Sequence, residues 1–157
     1  MFVCLGNICR SPMAEAIFRN MVIHKNLDNK IIVNSSGTSG WNIGKPPHKG
    51  TKEILDSHGI PYSGIKASKL EKQHLKEYDY IVAMDEENLS DILKLKDKST
   101  TACIKMLSDF VKGNWVSVPD PWHTGDFELT YKLVTEGCEM LLKHIAENNF
   151  DKTIDSK

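Results

Sequence analysis

The sequence lacks a strong charge of either sign: among its 157 residues, 20 Lys and Arg side chains stand against 21 Asp and Glu side chains, and the formal net charge is −1. Proteins that hold nucleic acid or an anionic membrane through a broad field carry a clear excess of positive charge. No apolar run approaches the roughly 20 residues that span a bilayer, and no basic segment followed by a long apolar one begins the sequence. We therefore expect no nucleic acid partner, no membrane partner, no secretory signal and a cytoplasmic location.

The sequence also lacks the cysteine spacing of a metal site. Cys4, Cys9, Cys103 and Cys138 form no Cys-x-x-Cys pair and have no histidine pairing typical of zinc. We predict reduced thiols and no metal. Cys138 falls on a helical apolar stripe, where we expect it to pack in the core.

No repeat, linker or low-complexity segment divides the chain. A chain of 157 residues fits one domain and buries about two-thirds of its unfolded surface on folding. We predict a single domain over residues 1–148 and a frayed tail over residues 149–157.

Apolar patterning predicts strands and helices that alternate. Short continuous apolar runs predict strands at residues 1–4, 31–33, 80–84 and 103–106. Helical spacing predicts helices at residues 12–24, 48–57, 69–78, 86–95 (capped by Asp85) and 127–145, and glycine and proline signals predict a long loop at 35–47. This alternation implies an α/β domain with a parallel sheet and helices on both faces. In such sheets, ligands bind at the carboxyl ends of the strands.

The most informative segment is residues 4–11, which read CLGNICRS. The predicted strand 1–4 ends at Cys4, and a helix begins immediately after the segment. Backbone N–H groups of Leu5 to Arg10 can therefore turn inward and hold a tetrahedral anion, in a field that favours a thiolate at Cys4. Arg10 adds two parallel donors that fit phosphate oxygens. The segment predicts a thiol nucleophile in a phosphate-binding loop.

A nucleophile for phosphate esters needs a proton donor for the leaving oxygen, and Asp120 is the candidate. It stands between two prolines in the segment VPDPW, residues 118–122, and the prolines restrict the backbone on both sides. By itself a Pro-Asp-Pro segment favours an ordinary turn aspartate, but the Cys4 loop in the same chain reverses this balance in favour of a proton donor. Asp126 and Asp85 are the alternative carboxylates for the acid role.

The chain resembles the low-molecular-weight protein tyrosine phosphatases, most closely those of Gram-positive bacteria, from Phe2 to about Ile145. Four separate motifs carry the resemblance in order: CLGNICRSPMAEA, SSGTSGWNIGKPP, YDYIVAMDEEN and VPDPW. The resemblance implies a three-layer α/β/α fold with a four-stranded parallel sheet of flavodoxin-like topology. It also implies hydrolysis of phosphotyrosine with neither a metal nor another cofactor.

Carried over residue by residue, the resemblance makes Cys4 the nucleophile, Arg10 the transition-state arginine and Asp120 the general acid and base. The phosphate-binding residues it implies are Leu5, Gly6, Asn7, Ile8, Cys9, Arg10 and Ser11.

Supporting roles follow from the same resemblance. Ser11 is expected to hydrogen-bond the nucleophilic sulfur. Asn7 is expected to hold the loop in shape in a left-handed conformation, with Ser35 as its partner. Cys9 is expected to trap an oxidised Cys4 as a disulfide.

Two tryptophans are candidates for the walls of the substrate cleft. Trp41 and Trp122 fall in loops that are expected to flank the cleft, where they can sandwich a phenyl ring. The alternative for each is an aromatic that anchors its loop. Two positions depart from the family: His123 replaces a second tyrosine after the aspartate-proline pair, and Gly64 replaces a histidine of the mammalian members.

Two other classes of enzyme share this architecture. Thioredoxin-linked arsenate reductases need two further cysteines close together, whereas Cys103 and Cys138 are far apart in sequence. Protein-arginine phosphatases carry a loop threonine where this chain has Ile8, whose apolar side chain suits an aromatic ring.

A phosphotyrosine-binding module without catalysis is the alternative from a different class. Such a module needs Arg10 and the loop amides but neither Cys4 nor Asp120, so the presence of both favours turnover. We expect phosphotyrosine proteins as partners, inorganic phosphate as product and competitive ligand, and a monomer.

Overall fold

The computed structural model describes residues 1–113 and 115–150. Most of the tail predicted at 149–157 lies outside the described residues, although Asn149 still belongs to the last helix. The strands are β1 Phe2–Cys4, β2 Ser35–Gly37, β3 Tyr80–Ala83 and β4 Cys103–Met106. The α-helices are α1 Arg10–His24, α2 Lys49–Ser57, α3 His74–Glu77, α4 Glu86–Leu93, α5 Pro121–Thr124 and α6 Phe127–Asn149, and a 3₁₀ helix spans Leu107–Phe110.

The four strands form one parallel sheet in the order β2-β1-β3-β4. Phe2 of β1 lies opposite Ser35 of β2 on one side and Val82 of β3 on the other. This arrangement confirms the predicted three-layer α/β fold with flavodoxin-like strand order. Because β1 is a central strand, its carboxyl end at Cys4 lies among the ends of its neighbours.

Successive side chains of β1 point to opposite faces of the sheet, so each face has its own core. Phe2 and Cys4 join the larger apolar cluster, which includes residues of α1 and α6. Val3 joins the cluster that contains Leu75 of α3 and Ile92 of α4. Helices therefore cover both faces, as the strand–helix alternation predicted. None of the described helices is long and apolar enough to cross a membrane.

The strand predicted at residues 31–33 is wrong, because β2 lies at Ser35–Gly37 within the segment predicted as a loop. Ile32 is 81% exposed, so its hydrophobicity does not report burial in a sheet. β2 is instead built from two buried serines and a glycine. The Ser35 hydroxyl donates to Glu15, so a polar residue occupies a buried strand without an unpaired hydroxyl.

The helix predicted at residues 69–78 is confirmed only for His74–Glu77. The preceding residues pair with the edge of the sheet instead: Gly37 N–H donates to the Ser68 carbonyl at 2.8 Å, and Leu70 N–H donates to the Gly37 carbonyl at 2.7 Å. This parallel pairing of Lys69 with Gly37 holds residues 68–70 beside β2, so the helix begins only after them. The local pattern of charged residues could not predict this pairing, because Gly37 is distant in sequence.

The remaining predicted elements are confirmed with small changes at their ends. β3 ends at Ala83, α2 begins after His48, and α4 is capped by Asp85, whose carboxylate accepts from Asn88 N–H at 2.7 Å. α1 begins two residues before Pro12, which still lies in the first turn, where its missing N–H leaves no bond unmade. The apolar stripe of α6 packs as predicted, and its Cys138 is fully buried.

Candidate active site

Cys4 lies at the carboxyl end of β1, where a five-residue loop leads into α1. Its side chain is buried, and its Sγ lies 2.9 Å from Ser11 Oγ in the first turn of α1. The structure therefore brings together the predicted nucleophile and the predicted hydroxyl partner of its sulfur.

Neighbouring groups hold the carbonyls of the loop in place. The Cys4 and Leu5 carbonyls accept from Thr38 N–H and Ser39 N–H at 2.9 and 3.0 Å. Further along, the Gly6 carbonyl accepts from the side chain of Asn42, the Ile8 carbonyl from His48 N–H, and the Cys9 carbonyl from the hydroxyl of Thr51.

The N–H groups of the same loop contrast with its carbonyls. Within the described part of the chain, the N–H groups of Leu5 to Cys9 donate to neither a backbone nor a side-chain acceptor. Consecutive unpaired N–H groups next to a helix N-terminus are the donor set that binds tetrahedral anions.

Asn7 gives the loop its curvature. Its φ of 55° lies in the left-handed region, as predicted. Its side-chain Nδ2 donates to Ser11 Oγ at 2.7 Å and to Ser35 Oγ at 2.9 Å. Its side-chain Oδ1 accepts from Ser68 N–H at 2.9 Å. Groups from α1, from β2 and from residue 68 therefore fix one side chain, which offsets the cost of a non-glycine residue at positive φ.

Gly37 allows β2 to approach this loop closely. A Cβ atom at this position would lie 2.8 Å from the Leu5 carbonyl oxygen and 3.2 Å from Asn7. Any side chain here would push the loop away from the sheet. The end of β2 therefore requires glycine for packing rather than for a special φ.

Arg10 is held with part of its guanidinium still unpaired. Its Nη1 donates to Asp85 Oδ2 at 2.6 Å and to the Val118 carbonyl at 3.0 Å, and its Nη2 lies 3.5 Å from Asp120 Oδ2. Its buried Nε has no partner in the described structure. Burial alone lowers the pKa of Arg10, but Cys4, Asp85 and Asp120 together raise it above its usual value, so the group stays cationic.

Asp120 lies across the pocket from the loop. It caps α5, because its Oδ1 accepts from Trp122 N–H at 3.1 Å, while its Oδ2 faces Arg10. Its side chain remains 23% exposed. A carboxylate at this position is held by its cap and is open to both the pocket and solvent.

One pocket of about 340 Å³ unites these groups. Cys4, Arg10 and Asp120 line it with the two predicted walls, Trp41 and Trp122. The tryptophans are 75% and 61% exposed, so neither is buried as a loop anchor. His48 lies edge-to-face against Trp122 and stacks on Phe127 of α6, which orients the second wall. Also lining the pocket are Leu5, Gly6, Ile8, Cys9, Asn42 and His123.

Cys9 lies in the same pocket wall as Cys4. Burial, and then the proximity of Cys4 and Asp120, raise the pKa of Cys9 to about 12, although Arg10 opposes this. Cys9 is therefore a thiol at neutral pH. Cys138 is far from the pocket, in the core, where its Sγ lies 3.9 Å from the Ala14 carbonyl.

The sequence did not reveal that Asp85 holds Arg10, nor that Ser68 and Glu15 contribute to the site. Asp85 could have been found from topology, because it follows β3, the parallel neighbour of β1, and carboxyl ends of adjacent parallel strands converge. Ser68 acts through its backbone N–H, which no side-chain pattern reports. Glu15 lies within α1, and the neighbouring residues do not distinguish it from an ordinary helical glutamate.

Comparisons with known proteins show the family of the chain. Residues 1–151 match the model of the family described as low molecular weight phosphotyrosine protein phosphatase, and the chain belongs to this family. Its relatives include the low molecular weight protein-tyrosine-phosphatase YfkJ of Bacillus subtilis, 49% identical over 94% of this chain and 95% of the relative. PtpA of Staphylococcus saprophyticus is 43% identical over 94% of this chain and 93% of the relative.

Solved structures show the same fold. The crystal structure of YfkJ superposes with a TM-score of 0.91 at 48% identity, covering 94% of each chain. A protein tyrosine phosphatase of Entamoeba histolytica gives a TM-score of 0.86 at 29% identity, covering 95% of this chain and 96% of the other. A Drosophila arginine phosphatase gives 0.86 at 31% identity, covering 94% of this chain and 98% of the other.

Proposed function

We propose that the protein hydrolyses phosphotyrosine in proteins through a phosphocysteine intermediate. The observation that carries the proposal is the convergence of three groups on one pocket: the Cys4 thiol, the unpaired N–H donors of the loop with Arg10 Nε, and the carboxyl group of Asp120. Each group matches one requirement of phosphate ester cleavage. Together they supply a nucleophile, an anion site and a proton donor.

In the first step, the thiolate of Cys4 attacks phosphorus and the S–P bond forms. The P–O bond to the phenolic oxygen breaks, and Asp120, entering this step protonated, gives its proton to that oxygen. The tyrosine leaves as a neutral phenol, and Asp120 remains as a carboxylate.

In the second step, Asp120 takes a proton from water as that water attacks phosphorus. The S–P bond breaks, inorganic phosphate forms and the Cys4 thiolate returns. Phosphate is therefore both the product and, because it fits the same donors, a competitive ligand.

Arg10 and the loop amides act in both steps. Phosphoryl transfer relies mainly on positioned donors that hold the equatorial oxygens. Since Nη1 is already committed to Asp85 and Val118, Nε and Nη2 are the edge of the guanidinium left for phosphate. That edge supplies the bidentate geometry predicted for arginine.

Two tryptophans and Ile8 favour an aromatic leaving group. Trp41 and Trp122 line the pocket mouth, and Ile8 presents an apolar side chain where a hydrogen-bonding group would suit phosphoarginine. We therefore propose phosphotyrosine proteins as substrates, even though an arginine phosphatase is among the structural relatives.

The test is hydrolysis of three matched peptides that carry phosphotyrosine, phosphoserine or phosphoarginine, with Cys4→Ser as the control. We expect release of phosphate from the phosphotyrosine peptide only, and none from the variant. Preferred hydrolysis of phosphoarginine would reassign the substrate, and activity of Cys4→Ser within tenfold of the unmodified enzyme would refute the thiolate mechanism.

A further inference from the structure

Glu15 is a buried charged side chain that the chemistry above does not use. It lies on α1 and is 5% exposed. Its Oε1 accepts from Ser35 Oγ at 2.7 Å, and its Oε2 lies 2.5 Å from Arg19 Nη2. Burial raises the pKa of Glu15 despite the opposing effects of Ser35 and Arg19. An ionised carboxylate in this position is costly, which prompts the question of what it contributes.

A continuous chain of hydrogen bonds connects Glu15 to the nucleophile. Ser35 Oγ, which donates to Glu15, accepts from Asn7 Nδ2 at 2.9 Å. The same Nδ2 donates to Ser11 Oγ at 2.7 Å, and Ser11 Oγ lies 2.9 Å from Cys4 Sγ. Each of these five residues is at most 5% exposed, so the bonds are shielded from bulk water.

The donors and acceptors in this series of hydrogen bonds are fixed by the partners of the Asn7 side-chain amide. An ionised carboxylate only accepts hydrogen bonds, so the Ser35 hydroxyl points its hydrogen at Glu15 and offers a lone pair to Asn7. At the other end, Ser68 N–H requires the Asn7 carbonyl to face it. Both amide hydrogens of Asn7 must then point at the two serines.

The Ser11 hydroxyl consequently has its hydrogen free for another acceptor. It receives one hydrogen from Asn7, so its own hydrogen points either to Cys4 Sγ at 2.9 Å or to the Ser36 carbonyl at the longer distance of 3.4 Å. A hydrogen bond to a charged acceptor is the stronger kind. The thiolate is therefore the preferred acceptor.

We propose that Glu15 is a positioning residue for the nucleophile, acting through Ser35 and Asn7 to keep the Ser11 hydroxyl donating to the Cys4 thiolate. This inference deepens the proposed function and rests on it. Without the carboxylate, the Ser35 hydroxyl has no obligatory direction. The Asn7 amide is then fixed at one end only, and the donor to the sulfur is held less firmly.

Two mechanisms predict opposite effects of removing the negative charge of Glu15. If Glu15 acted on Cys4 through its negative charge alone, Glu15→Gln would stabilise the thiolate. If it acts through the chain, Glu15→Gln destabilises the thiolate, because the donor to the sulfur is loosened. The ion pair with Arg19 favours the second result, since Arg19 compensates the charge of Glu15.

The experiment measures the pH midpoint of Cys4 alkylation by iodoacetamide, which needs no phosphatase activity. We expect Glu15→Gln to move the midpoint upward by about 0.5 to 1 pH unit, part of the full effect of a hydrogen bond to a charged group. In a Ser35→Ala background, the same substitution should cause no further shift, because the connection is already broken. Glu53→Gln, which removes a carboxylate from an exposed helix ion pair, is the matched control and should leave the midpoint unchanged.

A downward shift, or an equal shift with and without Ser35, would overturn the proposal in favour of a through-space charge effect. An unchanged midpoint would also overturn it, and a lowered melting temperature in the same variant would show that Glu15 is structural only. If Ser35→Ala does not fold, Ser11→Ala replaces it as the background, since it removes the last hydroxyl of the chain. Failure of the proposed function would appear separately, as absence of phosphotyrosine hydrolysis by the unmodified enzyme.

Discussion

Asp85 holds Arg10 by a bond of 2.6 Å from Arg10 Nη1 to Asp85 Oδ2, while the other oxygen of the same carboxylate caps α4. The side chain of Arg10 is 3% exposed and that of Asp85 is 25% exposed. One carboxylate at the end of β3 therefore orients the guanidinium and begins the following helix. The bond leaves the Nε edge of Arg10 directed away from Asp85 and without a partner.

Asp85→Ser should separate these two roles. Serine is a good N-cap, so α4 should keep its cap, but serine lacks the second oxygen that holds Arg10. We expect kcat for a phosphotyrosine peptide to fall by about tenfold to a hundredfold, because small misplacements of a positioned group are costly. The melting temperature, measured in parallel, should change little. An unchanged kcat would show that Val118 and the loop alone position Arg10.

Arg10→Lys tests the contribution of the planar guanidinium. An ammonium retains the charge but presents no paired donors in one plane. We expect a severe loss of kcat, and weaker inhibition by inorganic phosphate in a competition assay. A nearly neutral effect of this substitution would mean that the charge suffices and that bidentate contact is not required.

Cys4 and Cys9 should differ sharply toward an alkylating reagent. Since the pKa of Cys9 is raised to about 12, its thiol is unreactive far below that pH, and it becomes a thiolate only as the pH approaches 12. We expect iodoacetamide at pH 7.5 to modify Cys4 and to leave Cys9 and the buried Cys138 unmodified, as read by peptide mass spectrometry. Modification of Cys9 at a rate equal to that of Cys4 would contradict this.

Mild peroxide should inactivate the enzyme reversibly. Peroxide converts the Cys4 thiolate to a sulfenic acid, which is neutral, so one of the charges that raises the pKa of Cys9 disappears. Attack of Cys9 sulfur on Cys4 sulfur then forms the disulfide and releases water. We expect dithiothreitol to restore activity, and Cys9→Ser to make the same exposure harder to reverse. Detection of Cys4 joined to Cys103 or Cys138 would overturn the pairing.

The sequence predicted those parts of the site whose residues are close together in the chain. The loop from Cys4 to Arg10 depends on local order, and Asp120 on its two flanking prolines, so their patterns are visible in the chain. The end of β2 and Glu15 depend on packing between segments. Ser35 looks like a loop residue, and only the positions of Glu15 and Asn7 show why its polar side chain is buried in β2. Residues 31–33 were predicted as the strand because they are hydrophobic. Hydrophobicity carries no information about the hydrogen-bond partners that bury Ser35.

Asp120→Asn should slow hydrolysis in proportion to the basicity of the leaving group. A tyrosine oxygen needs a proton as the P–O bond breaks, whereas a very acidic phenol departs without one. We expect kcat to fall by about 10²-fold or more for a phosphotyrosine peptide and much less for dinitrophenyl phosphate.

Asparagine keeps an acceptor for Trp122 N–H, so α5 should retain its cap and substrate binding should change little. Asp126 caps α6 through Leu129 N–H, so Asp126→Asn provides a matched control with the same charge change near the same loop. Equal slowing of all substrates by Asp120→Asn would mean that Asp120 holds its loop in place and does not donate the proton.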